Sequence, residues 1–408
     1  MKPCSLLIFI TVVLLKSSNA SYDWDIFDIF RWKIDPDFNR NLTELITSKG
    51  YPVEQYTAET PDGYLLTVLR IPSGRKNVHN EKQEEKKVIF LQHGLLSSAC
   101  DWVLNFQNQS LAFILADHGY DVWLGNIRGN TYARRNIYYP PETSKFWNFS
   151  FDEMAEYDMP SMIDLVLNVT GKKNLTYIGH SQGTTIAFAL LSQKPEYNEK
   201  VNMFIGLAPV TTVGHITSAI RYIAPFTADV DFLFSILGVD EFLPNNIVMK
   251  YLSEILCDTQ AKFICEDVIF LVCGTDYSQL NATRLGVYVS HTPAGASTKS
   301  VIHYAQMVNS KKFQKYDYGP KGNMVEYNQT SAPEYHLENI TTKIALIWSE
   351  NDKLADPTDV HILEKKLKNL VSSTPVKLKE FNHLDFVWGV DANKLVYENV
   401  LSLLKRYS

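Results

Sequence analysis

Ser181, Asp352 and His383 stand far apart in the chain, yet together they contain the parts of a nucleophilic reaction. Ser181 lies in Thr176-Tyr-Ile-Gly-His-Ser-Gln-Gly-Thr-Thr185, with Gly179 and Gly183 two residues to either side. A serine hydroxyl is a poor nucleophile near neutral pH. It needs a base to take its proton and an acid to orient that base. Asp352, just after the apolar run IALIWS (344–349), is the expected acid, and His383, just after VKLKEF (376–381), is the expected base. Glu350, Asp356 and Asp359 compete with Asp352. Asp356 precedes a proline and Asp359 begins a helical stretch, so helix capping accounts for both. His180, beside the serine, is expected to line the site, and Asp385 to fix the loop of His383. Acyl transfer also needs donors for the developing oxyanion. The backbone N–H groups of Gln182 and of Leu95, in His93-Gly94-Leu95-Leu96, are placed to supply them.

These residues must be brought together by the elements around them. VIFLQ (88–92), YDVWLG (120–125), LTYIG (175–179), MFIGLA (203–208), IALIWS (344–349) and VKLKEF (376–381) read as strands. Helical patterns near 107–117, 151–168, 183–193, 359–370 and 393–405 separate them. Near-continuous apolar runs alternating with helices predict an α/β fold with a mostly parallel sheet covered on both faces. Ser181 then occupies a strained strand-to-helix turn, with flanking glycines because side chains there would meet backbone. Each partner follows a later strand, at the same sheet edge. The lysine- and glutamate-rich stretch 76–87 reads as a solvated loop. The strands ending near Ala208 and beginning at Ile344 are roughly 135 residues apart, far more than one crossover needs. The surplus predicts an inserted subdomain, opening with the apolar stretch AIRYIAPFTADVDFLFSILG (219–238).

The chain has 408 residues, 45% hydrophobic and 12% aromatic, enough for a large core. A formal net charge of −6 argues against nucleic acid as a partner. Lys2, the apolar run from Ser5 to Leu15 and the small residues Ser18-Asn19-Ala20 read as a signal peptide, residues 1–20, cleaved after Ala20. No later run reaches the length of a transmembrane helix. N-x-S/T sequons follow at Asn41, Asn108, Asn148, Asn168, Asn174, Asn281, Asn328 and Asn339. The expected location is therefore extracellular or lysosomal. Of five cysteines, Cys100, Cys257, Cys265 and Cys273 lie beyond the leader, and sequence alone does not choose their pairing.

From about Asp35 to Leu404 the sequence resembles the animal acid lipase family, α/β-hydrolases that include gastric and lysosomal acid lipases. The resemblance is carried by GYPVEQYTAETPDGYLLTVLRIP (50–72), LQHGLLSSACDW (91–102), WLGNIRGNTYARR (123–135), GHSQGT (179–184), LAPV (207–210), SHTPAGAS (290–297), NDKLADPTDV (351–360) and NHLDF (382–386). It implies an α/β-hydrolase core from 21–210 and 337–408, with a cap and lid inserted at 211–336. It maps Ser181, Asp352 and His383 onto the family triad, and Leu95 and Gln182 onto its oxyanion hole. A disulfide Cys257–Cys265, with Cys273 free, is implied in the same way. Three departures stand out. The interval between those cysteines is one residue shorter than the family pattern, Cys100 is an extra cysteine, and Ser349-Glu350 replaces glycine-rich sequence. The implied activity is hydrolysis of triacylglycerol or steryl esters of long-chain acids at an oil–water or membrane surface, without metal or organic cofactor. The same scaffold without its chemistry would make a lipid-binding or storage protein; a candidate at each triad position argues for the enzyme. A peptidase would use the same triad, since fold does not fix substrate.

Overall fold

The LTYIGH segment forms the strand β5 (Leu175–His180), whose six residues are all buried. Burial on both faces is what a near-continuous apolar run requires. The computed structural model describes residues 35–75, 86–222, 224–226, 239–245 and 262–407. Around β5 lie β1 (Glu54–Glu59), β2 (Leu65–Ile71), β3 (Val88–Gln92), β4 (Asp121–Gly125) and β6 (Val201–Leu207). A two-residue strand β7 (Glu241–Phe242) pairs with β8 (Ala296–Ser297), and β9 (Lys343–Trp348) and β10 (Leu370–Pro375) complete the main sheet. Its order is β1-β2-β4-β3-β5-β6-β9-β10. β1 pairs with β2, and β2 with β4, antiparallel; the others are parallel. The expected α/β architecture is present. The antiparallel hairpin β1–β2 adds an edge that the strand pattern from residue 88 onward does not announce.

The helix α1 (Leu42–Ser48) precedes β1, and α2 (Leu111–Asp117), α3 (Met159–Thr170) and α4 (Gln182–Gln193) fill the crossovers from β3 to β6. Then come α5 (Lys262–Cys273), α6 (Leu285–His291), α7 (Thr298–Ser310), α8 (Pro357–Lys366) and α9 (Glu398–Tyr407). α5, α6, α7 and the β7–β8 ribbon all lie in the long interval between β6 and β9. Among the described residues no helix is long and apolar enough to cross a membrane.

Register matters more than strand count for the site. Gln92 pairs with Gly179, Gly179 with Gly206, and Gly206 with Leu346. The C-terminal ends of β3, β5, β6 and β9 are therefore level, and the residues just beyond them emerge at one edge.

The last strand differs from expectation. It is Leu370–Pro375, not 376–381, and the preceding helix ends at Lys366 rather than near 370. β10 pairs only with β9, so as an edge strand it needs no apolar run, and Ser372, Ser373 and Thr374 serve. Val376 and Phe381 are buried in the core from the following loop. Their alternation with lysines imitates a strand without joining the ladder. The helix begins where its cap dictates, with Asp356 Oδ1 accepting from Thr358 N at 2.8 Å.

Several expectations fall outside the described residues: the signal peptide 1–20, most of 219–238, most of the 76–87 loop, and the Cys257–Cys265 pairing. Cys100 and Cys273 are free, buried thiols. Asn41, Asn108, Asn148, Asn168, Asn174, Asn328 and Asn339 are exposed. Asn281 is half-buried, and its Oδ1 accepts from Thr283 N and Oγ1.

Candidate active site

Ser181 sits between β5 and α4 with φ 53° and ψ −120°, a left-handed backbone that a non-glycine residue adopts only under constraint. The glycines make that turn possible. A Cβ on Gly179 would stand 2.7 Å from the carbonyl carbon of Gly183, and one on Gly183 would stand 2.4 Å from Gln92 O. Strand β3, the turn and α4 are thus in backbone contact, which only glycine at both positions allows.

His383 meets Ser181 across 202 positions of sequence, its Nε2 lying 2.8 Å from Oγ. Its Nδ1 lies 2.8 and 3.0 Å from the two carboxylate oxygens of Asp352. Nδ1 therefore carries the proton that it donates to Asp352, leaving Nε2 to accept from the serine hydroxyl. Asp352 also accepts from the backbone N–H groups of Leu354 and Ala355, at 2.9 and 2.8 Å. Of the competing acids, Glu350 is exposed and Asp356 caps α8. Asp359 is not a cap. It accepts from Thr212 Oγ1, His215 N and His215 Nδ1, strapping the chain after β6 to α8.

The loops of Asp352 and His383 are held together from a third direction. The carbonyl of Cys273, at the end of α5, accepts from both Lys353 N (3.4 Å) and His383 N (3.3 Å). Gly274, with φ 112°, follows, where a Cβ would be 2.2 Å from Asn351 O. Asp385 accepts from Asn382 N at 2.6 Å and so fixes the base loop. Its carboxyl is pushed up to about 8, by burial first and then by the neighbouring Asp276 and Asp352 carboxylates, against the pull of the Asn382 N–H. His180 lies behind the base, its Nε2 2.9 Å from His383 O. Burial and the nearby His383 press its basicity down to about 3, so it stays neutral.

On the other side of Ser181, Leu95 follows β3, and Gly94 lets that loop close in, since a Cβ there would be 3.1 Å from Ser181 Cβ. Gln182 opens α4, where the first N–H groups have no partner within the helix. His93 holds the loop, a role without a local sequence signal. Its Nε2 accepts from Ile127 N at 3.3 Å and from Asn130 Nδ2 at 3.0 Å, so Nδ1–H donates to Gly94 O at 2.8 Å. Burial lowers its pKa to about 4 and keeps it neutral.

Ser181, His383, Leu95 and Gln182 all line one cavity of about 250 Å³. Most of the remaining wall is apolar, with Val213, Ile216, Val308, Leu354 and Trp388 among the contributors. Among the described residues no group of three or more His, Cys, Asp or Glu side chains is placed to hold a metal ion.

A family model described as the alpha/beta hydrolase fold matches residues 87–390, and one described as a partial alpha/beta-hydrolase lipase region matches residues 42–106. Human gastric triacylglycerol lipase is 46% identical over 371 residues, covering 90% of this chain and 92% of that protein. The chain belongs to the acid lipase family of α/β-hydrolases. Further members at similar distance are a Caenorhabditis elegans lipase, 44% identical over 92% of this chain and 94% of its own, and human lysosomal acid lipase/cholesteryl ester hydrolase, 42% identical over 92% and 93%. As an acid lipase family member, the chain is a carboxylic ester hydrolase.

Proposed function

We propose that this lipase hydrolyses long-chain acyl esters, triacylglycerol or steryl ester, through an acyl-enzyme on Ser181. The observation that carries this reading is the unbroken contact Ser181–His383–Asp352 opening on an apolar cavity. Ser181 Oγ attacks the ester carbonyl while His383 Nε2 takes its proton. Asp352 holds the Nδ1–H tautomer and stabilises the imidazolium that forms. The N–H groups of Leu95 and Gln182 receive the oxyanion. His383 passes the proton to the departing alcohol, then activates water to release the fatty acid.

The range of esters follows from what two relatives are named for, triacylglycerol in one case and cholesteryl ester in the other. Residues 211–336 are assigned to a cap over the sheet edge, and residues 1–20 to a cleaved leader that sends the protein to the cell exterior or the lysosome. The sequon asparagines are candidate glycan acceptors on that route, and the cap is the surface expected to meet the lipid phase.

The test compares the purified protein with Ser181→Ala on emulsified triolein and cholesteryl oleate from pH 4 to 8. Fatty-acid release lost in a folded variant supports the mechanism, and the preferred ester assigns the subclass. Release that persists in the variant would remove Ser181 from the reaction.

A further inference from the structure

The cavity beside Ser181 has one acidic wall residue for which the mechanism above has no use. Asp101 lies in the turn Ala99–Trp102 and is 4% exposed. Its carboxylate receives hydrogen bonds from two uncharged donors, the Ser97 hydroxyl on Oδ2 and the Trp388 indole N–H on Oδ1 at 3.3 Å. Among the described residues no lysine, arginine or histidine forms an ion pair with it. The titratable neighbours that bear on it are Cys100 on its own turn and Tyr397, just before α9. Burial raises the thiol to about 11 and the phenol higher still, so both are neutral in acidic and neutral media. Elsewhere along the cavity wall stand His180, neutral, and His383, engaged with Ser181 and Asp352.

An apolar chain entering this cavity sets hydrocarbon against the wall that includes Asp101. A carboxylate without a countercharge is strongly disfavoured in such surroundings, whereas the neutral acid is not. We propose that Asp101 is a specificity-determining group of the acyl site, one that must be protonated when an apolar chain occupies the cavity, so that binding takes up a proton. The inference rests on the ester-hydrolase reading of Ser181 and names a selector within that site. Burial already lifts the free carboxyl to about 6, against the opposing pull of the Ser97 and Trp388 donors. The competent, protonated fraction then falls from about nine tenths at pH 5 to about one tenth at pH 7. Apparent affinity for an uncharged chain weakens about tenfold over that interval.

The experiment measures KM and kcat separately for p-nitrophenyl butyrate, held below its solubility limit, from pH 4.5 to 7.5. Parent, Asp101→Asn and Ser97→Ala are compared. In parallel, 1-octanol binding is followed by calorimetry in buffers of different ionisation heat, which counts protons taken up whether or not catalysis occurs. In the parent, KM is expected to rise about tenfold between pH 5 and 7, with uptake approaching one proton per site at pH 7. Asp101→Asn abolishes both the KM rise and the uptake. Ser97→Ala moves the KM rise to higher pH, because it deletes a donor that favours the charged form, and it decides the matter should the asparagine variant not fold. A parent KM independent of pH, a rise retained in folded Asp101→Asn, or an unmoved midpoint in Ser97→Ala overturns the inference. Absence of hydrolysis in the parent counts instead against the ester-hydrolase reading, and the proton count still reads Asp101.

Discussion

At the scale of single residues, the site turns on one tautomer of His383, whose Nδ1 faces the Asp352 carboxylate while Nε2 faces the Ser181 hydroxyl. A serine between glycines, a carboxylate after one apolar run and a histidine after the next are local signals, and the structure places Ser181, Asp352 and His383 within hydrogen-bond distance. Residues that act by holding backbone were not readable. His93 and Asp359 each bond to groups remote in sequence, and nothing in their local pattern names those partners. Asp352→Asn should lower kcat by about 10⁴-fold with the protein folded, because the amide no longer fixes the Nδ1–H tautomer. Steady-state rates with circular dichroism as the folding control check this, and a loss below tenfold would sink the assignment of the acid. Gly183→Ala should destabilise the protein by about 1–3 kcal/mol or more, since the new methyl lies 2.4 Å from Gln92 O. Denaturant unfolding reads it directly.

At the scale of elements, the central strands were legible and the edges were not. β3, β5, β6 and β9 are flanked on both sides and must be apolar, so their sequences announce them. β10 and β1 each have one neighbour, so half-polar sequence is tolerated and the signal weakens there; β2, buried between β1 and β4, is apolar but lies before residue 88, where the alternation of strands and helices begins. Loops carry the rest of the architecture, and their buried polar contacts are where stability can be removed selectively. Asp359 satisfies donors from Thr212 and His215 while 4% exposed. Asp359→Ala leaves those donors without an acceptor and should cost at least about 2 kcal/mol, detected as a lower urea midpoint. An unchanged midpoint would show that the strap between α8 and the chain after β6 is not a stabilising contact.

At the scale of the whole molecule, buried ionisable groups set how stability responds to pH. Asp101 and Asp385 have folded-state values raised to about 6 and about 8. Between the ordinary carboxylate value and those values the folded chain keeps protons the unfolded chain has lost. Their contribution is thus present in acid and is lost as pH rises. His93 and His180, lowered to about 4 and about 3, act oppositely, and His303 is displaced in the same direction. Their contribution is present above the ordinary histidine value and is lost as pH falls. The two sets oppose each other from about pH 4.5 to 6, and above 6.5 the histidine contribution is complete while Asp385 still lowers stability by about 1.4 kcal/mol per pH unit. Thermal midpoints should therefore be nearly flat across the acidic range and decline toward pH 8. Asp385→Asn should remove the decline; a variant that keeps it would place the cause elsewhere.

The carbonyl of Cys273 accepts from Lys353 in the acid loop and from His383 in the base loop. Two segments of the chain thereby share a single fastening. Whenever the end of α5 pulls away, both amides meet solvent at the same instant and the acid and base lose their common anchor. In a native-state hydrogen-exchange experiment the protection of Lys353 and His383 should rise and fall as a pair, and slippage of α5 would silence the reaction before any part of the sheet unfolds.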